Sequence, residues 1–323
     1  MIEVEHLVKY YGEKCALSDV SFSIGEGEVV GLLGLNGAGK STTMNILTGY
    51  LSATSGTVRV NGHDILTEAR EAKREIGYLP EQIAFYPEMR VDEYLSFCCD
   101  LKGVKGDGAA RKAHIGEVCA RVGLTHMRTR MIRNLSKGYK QRVGFAQALI
   151  GSPRVLILDE PTVGLDPSQI IEIRALIKSE GKDSTVIVSS HILSEIQAIC
   201  DRVIVIHGGR VIADDAPESL ARAILATHRV VARIQGAPEK VEAALAACPG
   251  VVKVARLTQK EPGAYDYRIE GAPVDDIRAA VFRALAAADL PLLCTYSNEL
   301  SLEDVFLHLV GDEHERAKEA AEA

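Results

Sequence analysis

The chain has no tryptophan, and only 5% of its residues are aromatic. An interior built on aromatic clusters is excluded, so Ala-rich helices are expected to fill much of the core. No apolar run reaches the roughly 18 residues that a membrane-spanning helix needs. The opening MIEVEHLVKYYG is acidic early and lacks the layout of a secretory signal. Basic residues are not in excess: Lys plus Arg number 37 against 44 Asp plus Glu, for a net charge of -7. A chain-wide field for nucleic acid is therefore missing. The cysteines number seven, an odd count with no C-x-x-C spacing. Reduced thiols acting as small apolar side chains, in a cytoplasmic chain, are the expectation. What is present is ordinary for a globular protein, with 47% apolar and 25% charged residues. A length of 323 residues allows about two domains.

Apolar periodicity predicts strands over 2–8 and 20–24, with a turn at 11–14 between them. The run VVGLL ends in glycine-rich sequence, and 40–50 then reads as a helix. A short strand over 57–60 precedes the turn signal Asn61-Gly62, a helix follows near 68–74, and Pro80 stops a strand over 76–79. From 91 to about 147 the pattern is helical with a loop near 105–108, which predicts a helical subdomain, 88–150, inserted into an α/β core. The continuous apolar run RVLILD predicts a strand of a parallel sheet covered on both faces. Helices over 168–179 and 193–200 alternate with a strand over 184–190, and a hairpin turns at Gly208-Gly209. After about 225 the composition changes, and 228–310 reads β-α-β-β-α-β plus a helix over 302–309, a small α+β domain of split βαβ or related type. Asp275 and Asp276 read as an acid pair at a helix start, and 311–323 as a polar tail.

Residues 34–41, GLNGAGKS, satisfy G-x-x-x-x-G-K-[ST] after a strand and before a helix. Gly34, Gly37 and Gly39 let the backbone curl with its N–H groups inward, and these donors together with the helix N-terminus suit phosphate oxygens. Asn36 and Ala38 complete the loop. Lys40 is placed to reach the β- and γ-phosphates, Ser41 to offer its hydroxyl to Mg²⁺, and Thr42 to support the α-phosphate end. Asp159 ends the VLILD run at the sheet edge where ligands gather, so it can hold the Mg²⁺ shell through water. Glu160 is the better candidate to polarise an attacking water; the alternative is that the pair caps a helix near Pro161. His191 follows the strand TVIVSS at the same edge and either contacts the γ-phosphate end or caps a helix. Gln82, on the loop after Pro80, either bridges Mg²⁺ and water or faces solvent.

Taken together these stretches resemble the ATP-binding subunit of an ABC transporter, a P-loop NTPase with a mostly parallel core sheet, an antiparallel β subdomain and an inserted helical subdomain. The resemblance covers about 1–215, within a domain placed at 1–220. It assigns Gln82 to the Q-loop, Leu135 to Arg142 (LSKGYKQR) to the signature, Glu160 to the catalytic carboxylate, Gly164 to Pro167 to the D-loop and His191 to the H-loop. It makes Tyr11 the aromatic that stacks on adenine, with Tyr10 as the alternative one register away. Lys137 and Tyr139 depart from the commonest LSGGQ form, whereas Ser136 and Gly138 are kept. The resemblance has those two residues contact the γ-phosphate held by a second copy, and Asp166 connect the two sites. It implies ATP and Mg²⁺ as cofactors, hydrolysis of ATP, and a homodimer closing head to tail.

The stretches over 77–95 and 301–310 resemble ATPases that serve ABC-2-type permeases, which implies an exporter and peripheral attachment to the cytoplasmic membrane through that permease, with no nucleic-acid partner. Phe85, Tyr86 and Met89 are expected either to line a groove for a permease helix or to pack inside the subdomain. Two other readings remain: an ABC-type ATPase acting on nucleic acid or ribosomes, and a regulatory module that barely hydrolyses ATP.

Overall fold

A computed structural model describes residues 1–224, 229–271 and 277–297. The helix expected over 302–309, the acid pair Asp275-Asp276, the stretch 301–310 and the tail lie outside the described residues. The chain divides into two compact units, Met1–Pro217 and a second from Glu218 onward.

The first unit opens with β1 (Ile2–Tyr11), β2 (Lys14–Ile24), β3 (Val29–Leu33), α1 (Lys40–Leu47), β4 (Ser55–Val60) and β5 (His63–Asp64). Next come α2 (Ala69–Glu75) and β6 (Ile76–Leu79). The helical stretch is α3 (Val91–Lys102), α4 (Gly108–Arg121) and α5 (Lys137–Leu149). Then β7 (Val155–Asp159), α6 (Pro167–Glu180), β8 (Thr185–Ser190), α7 (Leu193–Ile199), β9 (Arg202–His207) and β10 (Arg210–Asp215) alternate.

Two sheets result. One is antiparallel in the order β2-β1-β4-β5, and the other runs β10-β9-β3-β8-β7-β6. In the second sheet β9, β3, β8, β7 and β6 are parallel and β10 is an antiparallel edge. Every residue of β3, β7 and β8 is buried, as a sheet covered on both faces requires. A core containing Val4, Leu17, Met44, Leu47, Val58 and Ile157 joins the antiparallel sheet, α1 and the parallel sheet. This architecture is the P-loop fold of ABC type that the resemblance implies.

Helix ends follow local chemistry. Asp107 caps α4 by accepting from Ala110 N at 2.8 Å, and Asp166 caps α6 by accepting from Ser168 N and Gln169 N, with Pro167 in the first turn. Gly103 ends α3 in the left-handed region. Between α4 and α5 the chain is not continuous helix but holds two single 3₁₀ turns, Thr125–Met127 and Ile132–Asn134.

α8 (Pro217–Ile224) begins at the last residue of the first unit, and the second unit continues with β11 (Arg229–Gln235), α9 (Pro238–Ala246), β12 (Val251–Glu261), β13 (Ala264–Gly271), α10 (Arg278–Ala287) and β14 (Leu292–Ser297). Its sheet has the order β12-β13-β11-β14, antiparallel throughout. This is the split βαβ arrangement. Val230, Ala232, Ile234, Tyr267 and Ile269 on one sheet face pack with Val241 and Leu245 of α9 and Val281 and Leu285 of α10.

Candidate functional site

The loop between β3 and α1 curls because its glycines allow nothing larger. A Cβ on Gly34 would lie 2.3 Å from the Ile206 carbonyl oxygen, and Gly39, which caps α1, has a φ of 117°. Lys40 is buried, and its ammonium donates to the Gly34 carbonyl at 2.6 Å and the Leu35 carbonyl at 3.3 Å. Burial pulls its pKa down, while Glu160, Asp159 and Glu81 push it back up.

A cavity of about 680 Å³ opens over this loop. Of the residues singled out in the sequence, Tyr11, Asn36, Gly37, Gly39, Lys40, Ser41, Thr42, Glu160 and His191 line it. Ala38 is buried behind it, and its carbonyl accepts from Gly209 N at 3.0 Å. Tyr11 is on the wall and Tyr10 is not, with Lys9 Nζ 5.4 Å from the Tyr11 ring centroid.

Asp159 and Ser189 are register partners of β7 and β8, and the Ser189 hydroxyl donates to Asp159 Oδ1. The same hydroxyl accepts from Glu160 N at 2.9 Å. Burial is the main cause holding Asp159 above the usual carboxylate range; Glu81 adds to it, and the Ser189 bond and Lys40 oppose it. Glu160 has a φ of 48°, unusual for a side chain of its size, and its Oε2 meets His191 Nδ1 at 2.9 Å. The left-handed turn brings Glu160 back over the loop while Asp159 stays in the sheet.

Gln82 stands apart from this group. Gln82 is exposed and is not on the cavity wall; Glu81 is. Pro80 ends β6 and turns the chain at the sheet edge, so the first residue after it faces the phosphate loop.

Ser136 caps α5, accepting from Tyr139 N at 3.3 Å, and is exposed. Gly138 is buried against α6: a Cβ there would lie 2.6 Å from the Gln169 side chain. Neither belongs to the wall of the cavity in its own chain. Phe85 and Tyr86 pack on α3, with Phe85–Tyr94 centroids 5.6 Å apart and Tyr86–Phe97 centroids 5.4 Å apart. A separate apolar groove of about 350 Å³ lies nearby, lined by Tyr50, Tyr78, Pro80, Leu101 and Lys102 among others.

Among the described residues no three or more His, Cys, Asp or Glu side chains converge as a closed metal site. The donors at hand are the Ser41 hydroxyl and carboxylates at the sheet edge. That set fits Mg²⁺, which keeps waters and is shared between one or two carboxylates and a substrate's phosphates. Among the described residues no helix is long and apolar enough to cross a membrane.

Comparison with known proteins agrees with the geometry. A family profile described as ABC transporter matches residues 17–163. The linearmycin resistance ATP-binding protein LnrL of Bacillus subtilis is 34% identical over 314 residues, covering 96% of this chain and 98% of its own. The bacitracin transport ATP-binding protein BcrA of Bacillus licheniformis is 39% identical over 216 residues, covering 66% of this chain and 69% of its own. A solved dimeric ATP-binding cassette in a post-hydrolysis state, bound to ADP and Pi, superposes with a TM-score of 0.61 at 27% identity, covering 67% of this chain and 98% of that one.

Proposed function

The chain belongs to the ATP-binding subunits of ABC transporters, and on that footing we propose that it drives an ABC-2-type permease working as an exporter. It is an ATP-binding and ATP-hydrolysing subunit that acts as a dimer with a membrane permease. The assignment of the hydrolytic residues is carried by one observation, the convergence of the phosphate loop, Glu160 and His191 on a single cavity.

In this reading the loop N–H groups and Lys40 hold the β- and γ-phosphates, and Tyr11 stacks on the base. Ser41, and Asp159 through water, would hold a Mg²⁺ entering with ATP, which would supply positive charge to the phosphates. Glu160 orients the attacking water and accepts its proton. His191 holds the Glu160 carboxylate in place. Ser136 and Gly138, which lie outside their own cavity, close over the phosphates of the second copy.

The apolar groove is proposed as the seat of a cytoplasmic helix of the permease. Tyr50 and Leu101 on its wall are 82% and 72% exposed, which is costly for a surface without a partner. Pro80 lines this groove and its neighbour Glu81 lines the nucleotide cavity, so a helix pressing on one reaches the other through a single peptide. Lys73 and Lys102 also line the groove, so the entering helix should carry carboxylates.

Export is supported by the relatives whose names link them to linearmycin resistance and bacitracin transport, and LnrL matches through the second unit as well. Peripheral attachment to the membrane follows from the permease. The test is capture of the tagged full chain from detergent-solubilised membranes. A multispanning membrane protein should copurify, and Leu101→Glu should release it while leaving ATP binding intact. Copurification of RNA or DNA that stimulates hydrolysis would support the nucleic-acid reading instead.

A further inference from the structure

Glu195 has no part in the roles above, yet it is only 3% exposed. A carboxylate is expensive to bury unless its oxygens are occupied. Its partners come from three different segments. Thr162 Oγ1 donates to Oε2, Ser190 Oγ donates to the same oxygen at 3.3 Å, and the Arg174 guanidinium stands 3.6 Å from Oε1.

Each partner is attached to a residue of the hydrolytic site. Thr162 lies two positions after Glu160. Ser190 directly precedes His191, and its hydroxyl also accepts from Ile192 N at 3.0 Å, which fixes the turn that carries the histidine. Arg174 belongs to α6, the helix that Asp166 caps. Gln141 Nε2 donates to the Pro161 carbonyl at 2.8 Å, so α5, with Ser136 at its start, also grips the same short segment.

This segment needs gripping. A left-handed backbone at a residue such as Glu160, with a φ of 48°, is costly and persists only where its surroundings over-determine it. A buried ion pair is weak evidence for stability, because apolar residues of similar volume often do as well. What an apolar residue lacks is direction. One carboxylate oxygen accepting hydroxyls from two segments fixes their spacing.

We infer that Glu195 is a positioning residue for hydrolysis: through Thr162 and Ser190 it clamps the Glu160 segment to the His191 turn and so maintains their 2.9 Å contact. The inference rests on the assignment of Glu160 and His191 to the hydrolytic step.

The experiment uses the purified full-length chain and the variants Thr162→Val, Thr162→Ser and Ser190→Ala. Steady-state hydrolysis, ATP affinity and melting temperature are measured for each. Thr162→Val should lower kcat about tenfold or more, the scale of a small misplacement, with KM for ATP close to that of the parent and a modest fall in melting temperature for the lost hydrogen bond. Thr162→Ser, which keeps the hydroxyl, should retain kcat. Should Thr162→Val fail to fold, Ser190→Ala removes the second donor and carries the same expectation.

An unchanged kcat, a loss in Thr162→Ser equal to that in Thr162→Val, or a joint fall of kcat, ATP affinity and melting temperature would each overturn the inference. Glu160→Gln separates the two levels. If that variant still turns over, the hydrolytic assignment itself is wrong. If it is silent while Thr162→Val is fully active, only the role of Glu195 is lost.

Discussion

His191 Nδ1 stands 2.9 Å from Glu160 Oε2, joining the ends of two neighbouring parallel strands above the phosphate loop. The carboxylate is largely buried and the imidazole half-exposed. Glu160→Gln preserves shape and removes the proton acceptor. Hydrolysis should fall by about 10²–10⁴-fold, the usual contribution of a positioned base, with ATP affinity retained. His191→Ala removes only the group that orients the base and should cost less. Single-turnover hydrolysis alongside equilibrium nucleotide binding checks both expectations. Equal losses in the two variants would contradict the division of roles.

Cys15 lies on the wall of the nucleotide cavity, close to Tyr11. Of seven cysteines it and Cys294 are the exposed ones. The folded chain should therefore react at Cys15 and Cys294 quickly with an aromatic disulfide reagent, and at the others only on unfolding. ATP should slow Cys15 and leave Cys294 unaffected. Mass mapping of the modified residues, with and without ATP, reads this directly. Protection of neither would place the base elsewhere.

The parts of this arrangement that were legible in the sequence share one property: local chemistry specified them. Lys40 and Ser41 follow from the glycine spacing of GLNGAGKS, and Asp159 from an apolar run buried on both faces, whose polar end emerges at the sheet edge. Periodicity failed where strands are irregular. β2 begins at Lys14, six residues before the predicted start, because its pairing with β1 is broken by several register shifts and no clean alternation survives. For Phe85 and Tyr86 the sequence offers groove or core; α3 brings Tyr94 and Phe97 against their rings, and Tyr86 stays half-exposed. Glu81 and Glu195 carry no local mark. One is set by how the chain leaves a proline, the other by hydroxyls 33 and 5 residues away.

Lys102 offers a test by pH. Its ammonium, near the end of α3, donates to the Ile76 carbonyl, and burial pulls its pKa from the ordinary 10.5 to about 8, with Cys98 and Glu75 opposing. Between those two values the unfolded chain holds the proton and the folded chain has released it. Unfolding then takes up protons, so the contribution of Lys102 to stability rises with pH across the interval and is flat below about 8. Lys102→Met removes this dependence. The difference in melting temperature, parent minus variant, should therefore grow in favour of the parent as pH rises. A constant difference would mean that the ammonium is not desolvated.

The division of labour between two copies is testable by mixing. Lys40 lies inside the cavity of its own chain, whereas Ser136 is exposed at the start of α5, away from that cavity. Suppose that each site takes Lys40 from one copy and Ser136 from the other. A Lys40→Ala homodimer and a Ser136→Arg homodimer then each contain two broken sites, and both should be silent. A mixed dimer contains one site in which both defects coincide and one in which neither is present, because a head-to-tail pairing crosses the contributions. Mixing the two purified variants should therefore restore ATP hydrolysis that neither has alone, in proportion to the mixed dimer formed. If Ser136 instead served its own chain, each subunit would carry its own lesion into any pairing and mixing would restore nothing.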